Sequence, residues 1–239
     1  MAERVIMLEI SDIHTFYGGA HILHGVSLRV EAGEVVSLLG RTGAGKTTTI
    51  KSAIGMVRPR DGRIIFDGTD TTSWTSHRIC HLGLGYVPEE RRIFSDLTVM
   101  ENLEVGRRPA RTDTPNWTTD TLFELFPNLA ERRYNLGGHL SGGEQQMLTI
   151  ARTLMGNPKL ILLDEPSEGI APVIIEKMAE VIAEFKTAGL TVLLSEQNLH
   201  FAKLVSDKAY IIESGEIRYE GTIAELEANA EVRGKYLAV

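Results

Sequence analysis

Short apolar runs of strand length alternate with stretches of helical period along most of the chain. Met7–Ile13 and Gly25–Val30 read as strands bracketing a loop that holds Tyr17-Gly18-Gly19, and Val35–Leu39 reads as a short buried strand. A helix is expected from about Gly45 to Gly55, ahead of Pro59, and Asp61-Gly62 marks a turn before a strand at Arg63–Phe66. The middle, about residues 74–155, is helical in pattern, with breaks at Pro88, Pro109, Pro115 and Pro127 and an exposed loop at Thr112–Thr119. After Gly142 the period sharpens. Met147, Ile150, Ala151 and Leu154 form one apolar face, closed by Gly156-Asn157-Pro158. Leu160–Leu163 and Leu190–Leu194 are buried strands on either side of a helix over Val173–Ala188. Its inward face is Ile174, Met178, Val181, Ile182 and Phe185. Tyr210–Glu213 and Glu216–Tyr219 form a hairpin around Ser214-Gly215, and Thr222 with Glu225 forms a capping box for a last helix. Wholly apolar strands alternating with helices indicate an α/β fold with a mainly parallel sheet covered on both faces.

Composition narrows the function. At 239 residues, against about 150 per domain, the chain has room for one large domain, or a main domain with a subdomain. The balance of 25 Lys+Arg against 32 Asp+Glu, net −7, argues against a nucleic-acid partner. Cys80 is the only cysteine, which excludes an internal disulfide and favours a reducing compartment. No run approaches the roughly 18–20 apolar residues of a spanning helix. Glu3, Arg4 and Glu9 interrupt the N-terminal segment, which does not read as a signal peptide. The expected location is therefore cytoplasmic. Gly is in excess, at 23 residues, and its placement carries the chemistry.

Gly40-Arg41-Thr42-Gly43-Ala44-Gly45-Lys46-Thr47 matches G-x-x-x-x-G-K-[ST] between an expected strand and an expected helix, with Thr48 following. Glycines let successive N–H groups point at phosphate oxygens, and the helix N-terminus adds positive potential. Lys46 supplies a point charge for the outer phosphates, and the Thr47 hydroxyl suits Mg²⁺. Leu160–Leu163 delivers Asp164 and Glu165 at a strand's C-terminal end. Asp164 is placed to hold Mg²⁺ through its water shell, and Glu165 to polarise an attacking water. Leu140-Ser141-Gly142-Gly143-Glu144-Gln145 contains a capping box, Ser141 with Glu144. Two glycines in a first helical turn are costly for capping alone, which points to close approach of a second anion. His77, Cys80 and His81 lie within one expected helical turn but lack a fourth metal ligand nearby.

These residues resemble the ATP-binding subunit of an ABC transporter, with Leu140–Gln145 similar to that family's signature motif, and the resemblance covers nearly the whole chain. It implies a P-loop NTPase of ABC type over residues 1–239. About 1–85 and 157–239 would form the catalytic core with an antiparallel β subdomain. About 86–156 would form a helical subdomain carrying the signature. It implies that Tyr17 stacks on adenine and that Ser141, Gly142 and Gly143 contact ATP bound by a second ATPase subunit, in a homo- or heterodimer. Three positions depart from the usual pattern. Glu89 stands where Gln normally senses metal and permease. Gln197 stands where a switch His is usual. Glu168-Gly169-Ile170 replaces a Leu-Asp loop. Glutamine carries no proton at neutral pH, so turnover should rest on Glu165 with Gln197 as a positioning group. An alternative is a slow site whose partner site dominates.

Pro88–Phe94, Leu97–Leu103 and Glu196-Gln197-Asn198 look like one ATPase of the branched-chain (hydrophobic) amino acid importers, a group that includes urea and short-amide importers. The resemblance implies ATP and Mg²⁺, transmembrane permease subunits, a periplasmic or extracellular solute-binding protein, and a peripheral position on the inner face of the membrane. A soluble ABC ATPase of translation or repair is the rival, though it usually has two such domains or a long insertion. A GTPase or kinase sharing only the phosphate loop would leave the signature unexplained, and no Asn-Lys-x-Asp guanine motif is present. A degenerate, non-hydrolysing nucleotide module is the last rival.

Overall fold

The computed structural model describes residues 5–112 and 114–237. Two long antiparallel strands, β1 (Ile6–Tyr17) and β2 (Ala20–Glu31), open the chain. They run further than the apolar pattern suggests, so the expected Tyr17–Gly19 loop shrinks to a turn at Gly18-Gly19, with Gly18 at φ +58°. They pair with β4 (Asp61–Phe66) and β5 (Thr69–Asp70) in the order β2-β1-β4-β5. Asp61-Gly62 lies inside β4 rather than in a turn. Gly62, at φ +91°, sits against β1 where a Cβ would lie 2.3 Å from the Asp12 carbonyl oxygen.

The second sheet contains β3 (Val35–Leu39), β6 (Leu84–Val87), β7 (Leu160–Asp164), β8 (Thr191–Glu196), β9 (Lys208–Glu213) and β10 (Glu216–Thr222), in the order β10-β9-β3-β8-β7-β6. All neighbours are parallel except β10, which closes a hairpin on β9. Every residue of β3, β7 and β8 is buried, because both faces are covered. Ile161, Leu163, Val192 and Leu194 pack on one side with α6 (Gly142–Leu154) and α7 (Pro172–Thr187). Leu160, Leu162, Leu193, Val36 and Leu38 pack on the other with α1 (Lys46–Ala53) and the antiparallel sheet.

The remaining helices are α2 (Ser76–Leu82), α3 (Val99–Gly106), α4 (Thr119–Leu125), α5 (Pro127–Glu131), α8 (Leu199–Val205), α9 (Ile223–Ala228) and α10 (Ala230–Tyr236). Both capping boxes form as expected, Ser141 with Glu144 and Thr222 with Glu225. Pro127 begins a helix instead of interrupting one, since a missing N–H costs nothing in a first turn. The segment expected as an exposed loop is pinned. Trp117 is buried edge-on to Phe185, at 5.7 Å between ring centroids, and its backbone N–H donates to Asn157 Oδ1 at 2.7 Å. Among the described residues no helix is long and apolar enough to cross a membrane.

Candidate nucleotide site

The strand order does the assembling. β3, β8 and β7 are consecutive in the sheet, so the segments leaving their C-terminal ends meet at one edge although they are far apart in sequence. The Gly40–Thr47 loop follows β3, Asp164 ends β7 with Glu165 next to it, and Gln197 follows β8. Gly43 and Gly45 take φ +79° and +114°, a region other residues rarely enter, and the loop curls into α1. Gly45 caps α1 without a side chain, leaving the first N–H groups of the helix uncovered.

Lys46 is buried, and its ammonium folds back over the loop. Nζ donates to the Gly40 carbonyl at 2.8 Å and the Arg41 carbonyl at 3.0 Å, and pairs with Glu165 Oε1 at 3.0 Å. Gln197 Nε2 donates to Glu165 Oε2 at 2.6 Å, and Thr42 Oγ1 donates to Gln197 Oε1 at 3.0 Å. Lys46, Glu165, Gln197 and Thr42 are thus linked in series across the mouth of the loop. Glu165 sits at φ +46°, uncommon for a side-chain-bearing residue. Its backbone N–H is held by both the carbonyl (3.1 Å) and the hydroxyl (3.0 Å) of Ser195.

Asp164 is buried and saturated with donors: Thr47 Oγ1 at 3.0 Å and Ser195 Oγ at 2.7 Å on Oδ1, and Tyr86 OH at 3.2 Å on Oδ2. Burial pushes its carboxyl up, and these three hydrogen bonds oppose the rise. Burial would also raise Glu165, but hydrogen bonds from Glu168, Gln197 and Lys46, with the Lys46 charge, hold it below the usual carboxylate range. Glu168 pays the converse: its hydrogen bond to Glu165, some burial and the Glu165 charge push it up to about 7. The two neighbouring carboxyls thus shift in opposite directions. Glu89, exposed nearby, is raised by desolvation and by the charges of Glu165 and Asp164.

The structure brings together Gly40 through Thr48, Asp164, Glu165, Gln197 and Glu89. Tyr17 stands apart at the β1–β2 turn, about half exposed. Ser141, Gly142 and Gly143 lie at the start of α6, on the other side of the Glu168–Ile170 loop. Here the glycines have a reason within one chain as well. A Cβ at Gly142 would lie 2.4 Å from Arg91 Nη1, and one at Gly143 3.0 Å from Ile174. The rings of His77 and His81 lie edge-on 6.4 Å apart, and His81 Nδ1 is engaged 2.7 Å from its own helix's His77 carbonyl.

Sequence reasoning assigns no role to Tyr86, Ser195, Glu196 or Glu168. Glu196 is buried, its carboxylate accepting the backbone N–H groups of Ser167, Gln197 and Asn198. It thereby fixes the loops after β7 and β8 to each other. A polar Ser-Glu pair ending an otherwise apolar strand was the available signal.

A buried lysine, an uncapped helix N-terminus and a backbone loop shaped for oxyanions fit the outer phosphates of a nucleotide. The Thr47 hydroxyl beside an ionisable Asp164 fits a hard divalent cation. The ABC transporter family profile matches residues 23–168. The high-affinity branched-chain amino acid transport ATP-binding protein BraG of Pseudomonas aeruginosa is 43% identical over 231 residues, covering 97% of this chain and 99% of that protein. The lipopolysaccharide export system ATP-binding protein LptB of Haemophilus influenzae is 38% identical, covering 97% of each. The crystal structure of the ADP conformation of an ATP-binding cassette of an ABC transporter superposes with a TM-score of 0.81 at 27% identity, covering 96% of this chain and 98% of that one. This chain therefore belongs to the ABC transporter family, as one of its ATP-hydrolysing chains.

Proposed function

We propose that the chain powers uptake of branched-chain or hydrophobic amino acids as the ATPase subunit of an importer. The observation that carries the cargo reading is its similarity to BraG along nearly the full length of both chains. The likeness to LptB favours a second reading, export of a lipopolysaccharide-like lipid. Urea and short amides are the other cargo class to test. Reconstitution in liposomes with permeases and a solute-binding protein of each importer class, or with a lipid-exporting permease, decides among them. ATP-dependent accumulation of leucine or isoleucine supports the reading. Uptake of urea alone, or stimulation of turnover only by a lipid-exporting permease, refutes it.

The chemistry follows from this chain's own groups. Lys46 and the N–H groups at the start of α1 take the outer phosphates of ATP, and Lys46 must first release Glu165. The freed Glu165 carboxylate accepts a proton from the attacking water. Gln197, held by Thr42, orients that water or the γ-phosphate without carrying a proton. Thr47, Asp164 and Glu89 would hold Mg²⁺, which when bound neutralises developing phosphate charge. Tyr17 stacks on adenine, and Ser141, Gly142 and Gly143 serve the nucleotide of a second ATPase subunit. The division into a core (about 1–85 and 157–239) and a helical subdomain (about 86–156) belongs to the same proposal.

A groove of about 490 Å³ between α2, β6, α3 and α6 supports a permease partner and a peripheral place at the inner membrane face. Phe94 and Val105 line it, about half exposed, beside Arg108, Arg152 and Cys80, and it opens next to the Tyr86–Pro88 strand end that leads to Glu89. An apolar element of the permease with acidic flanks suits that lining.

A further inference from the structure

Arg91 falls in a charged run, Glu89-Glu90-Arg91-Arg92, where the ordinary expectation is a solvated side chain. Arg92 behaves that way, pairing with Glu90 at 3.5 Å with both side chains more than half exposed. Arg91 does not. Its backbone turns to φ +55°, a conformation that side-chain-bearing residues avoid unless the surroundings impose it. Its carbonyl accepts the Thr149 hydroxyl of α6 at 2.8 Å. Its guanidinium runs past the first turn of the same helix, occupying the space a side chain at Gly142 would need. Nη2 then donates to the carbonyls of Glu168 and Gly169, both at 3.2 Å. Those carbonyls belong to the turn that Glu165 begins, since the Glu168 N–H donates to the Glu165 carbonyl at 3.1 Å.

We propose that Arg91 is a positioning residue for hydrolysis. Its guanidinium packs beside the first turn of α6, which carries Ser141–Gly143, and hydrogen-bonds the backbone of the loop that aims Glu165, while its carbonyl is held by Thr149 further along the same helix. A shift of either segment is thereby passed to the other. The acceptors are backbone carbonyls, so the link reports loop position and not the charge state of the Glu168 carboxylate. Gln146 lies on the same face of α6, one turn after Gly142. It is buried, and both of its amide atoms lack a hydrogen-bond partner among the described residues. A displacement of α6 therefore sacrifices no hydrogen bond at that position.

The proposal rests on Glu165 being the base, so Glu165→Gln is measured alongside Arg91→Ala, Arg91→Met and Arg91→Lys in the full chain. The readouts are steady-state ATPase kinetics and thermal denaturation. Arg91→Ala and Arg91→Met should lower kcat at least tenfold while the KM for ATP stays within twofold and melting within a few degrees. Arg91→Lys, which keeps the charge and one donor centre, should recover part of the loss. If Arg91→Ala does not fold, the Met and Lys variants carry the comparison. Kcat within twofold of wild type for the Ala or Met variant overturns the proposal, as does a raised KM with unchanged kcat, or a Lys variant no better than Met. Normal turnover by Glu165→Gln would instead overturn the base assignment.

Discussion

Replacing Glu165 by Gln tests the most consequential contact in the site. The Glu165 carboxylate neutralises Lys46 at 3.0 Å, with only 8% and 2% of the two side chains exposed. Removing one partner of a buried pair typically costs about 3–5 kcal/mol. The loss here should be smaller, because Lys46 keeps the Gly40 and Arg41 carbonyls and the Gln amide oxygen still accepts a hydrogen bond. An ammonium–carboxylate pair becoming an ammonium–amide hydrogen bond leaves a loss of about 2 kcal/mol. For a domain of this size that corresponds to a melting temperature lower by roughly 4–8 °C without nucleotide. The same contact competes with the γ-phosphate for Lys46, so its weakening should reappear as tighter binding of a non-hydrolysable ATP analogue, by roughly 10–30-fold. ADP, which lacks that phosphate, should gain less. Calorimetry and equilibrium binding read both effects without turnover, and ATPase assays should show hydrolysis sharply reduced. Unchanged melting together with unchanged analogue affinity would refute the idea that ATP must displace Glu165 from Lys46.

Glu168→Gln should flatten a pH dependence. The native state holds the Glu168 proton up to about pH 7, against an ordinary value of 4.5. This residue therefore makes stability fall as pH rises between those values, by an amount that its exposure reduces. Urea titrations from pH 5 to 8 should show a shallower decline in the variant, and an identical slope would contradict the upward shift of Glu168. Leu162→Ala, in a strand buried on both faces, should cost about 2–5 kcal/mol in urea denaturation. A bulky maleimide on the exposed Cys80 should leave the ATPase of the isolated chain within twofold while abolishing stimulation by the permease. Full stimulation after labelling would move the permease away from the groove.

Local chemistry was legible in the sequence. The phosphate loop, the strand ending in Asp164-Glu165 and both capping boxes depend on residues a few positions apart, and β3 begins and ends where its apolar run does. What escaped notice depends on register between distant strands. Ser195 reaches Asp164 because β7 and β8 pair them directly, and Tyr86 meets Asp164 because β6 flanks β7. Neither pairing is encoded near those residues. Trp117 escaped for a similar reason: a polar, proline-containing stretch gives no sign that Asn157, forty residues on, will accept its N–H. Gly142 and Gly143 suggest room for an anion in the sequence, and within one chain they also make room for Arg91 and Ile174.

The ladder of β8 also bears on how this sequence can drift. β8 hydrogen-bonds to β3 on one side and to β7 on the other, and its side chains alternate between two separate apolar layers. Inserting or deleting one residue between Thr191 and Gln197 would exchange those layers and withdraw Ser195, Glu196 and Gln197 from the site together. Related sequences should therefore vary in length elsewhere, between Arg107 and Pro115 for example, and hold the interval from Thr191 to Gln197 constant.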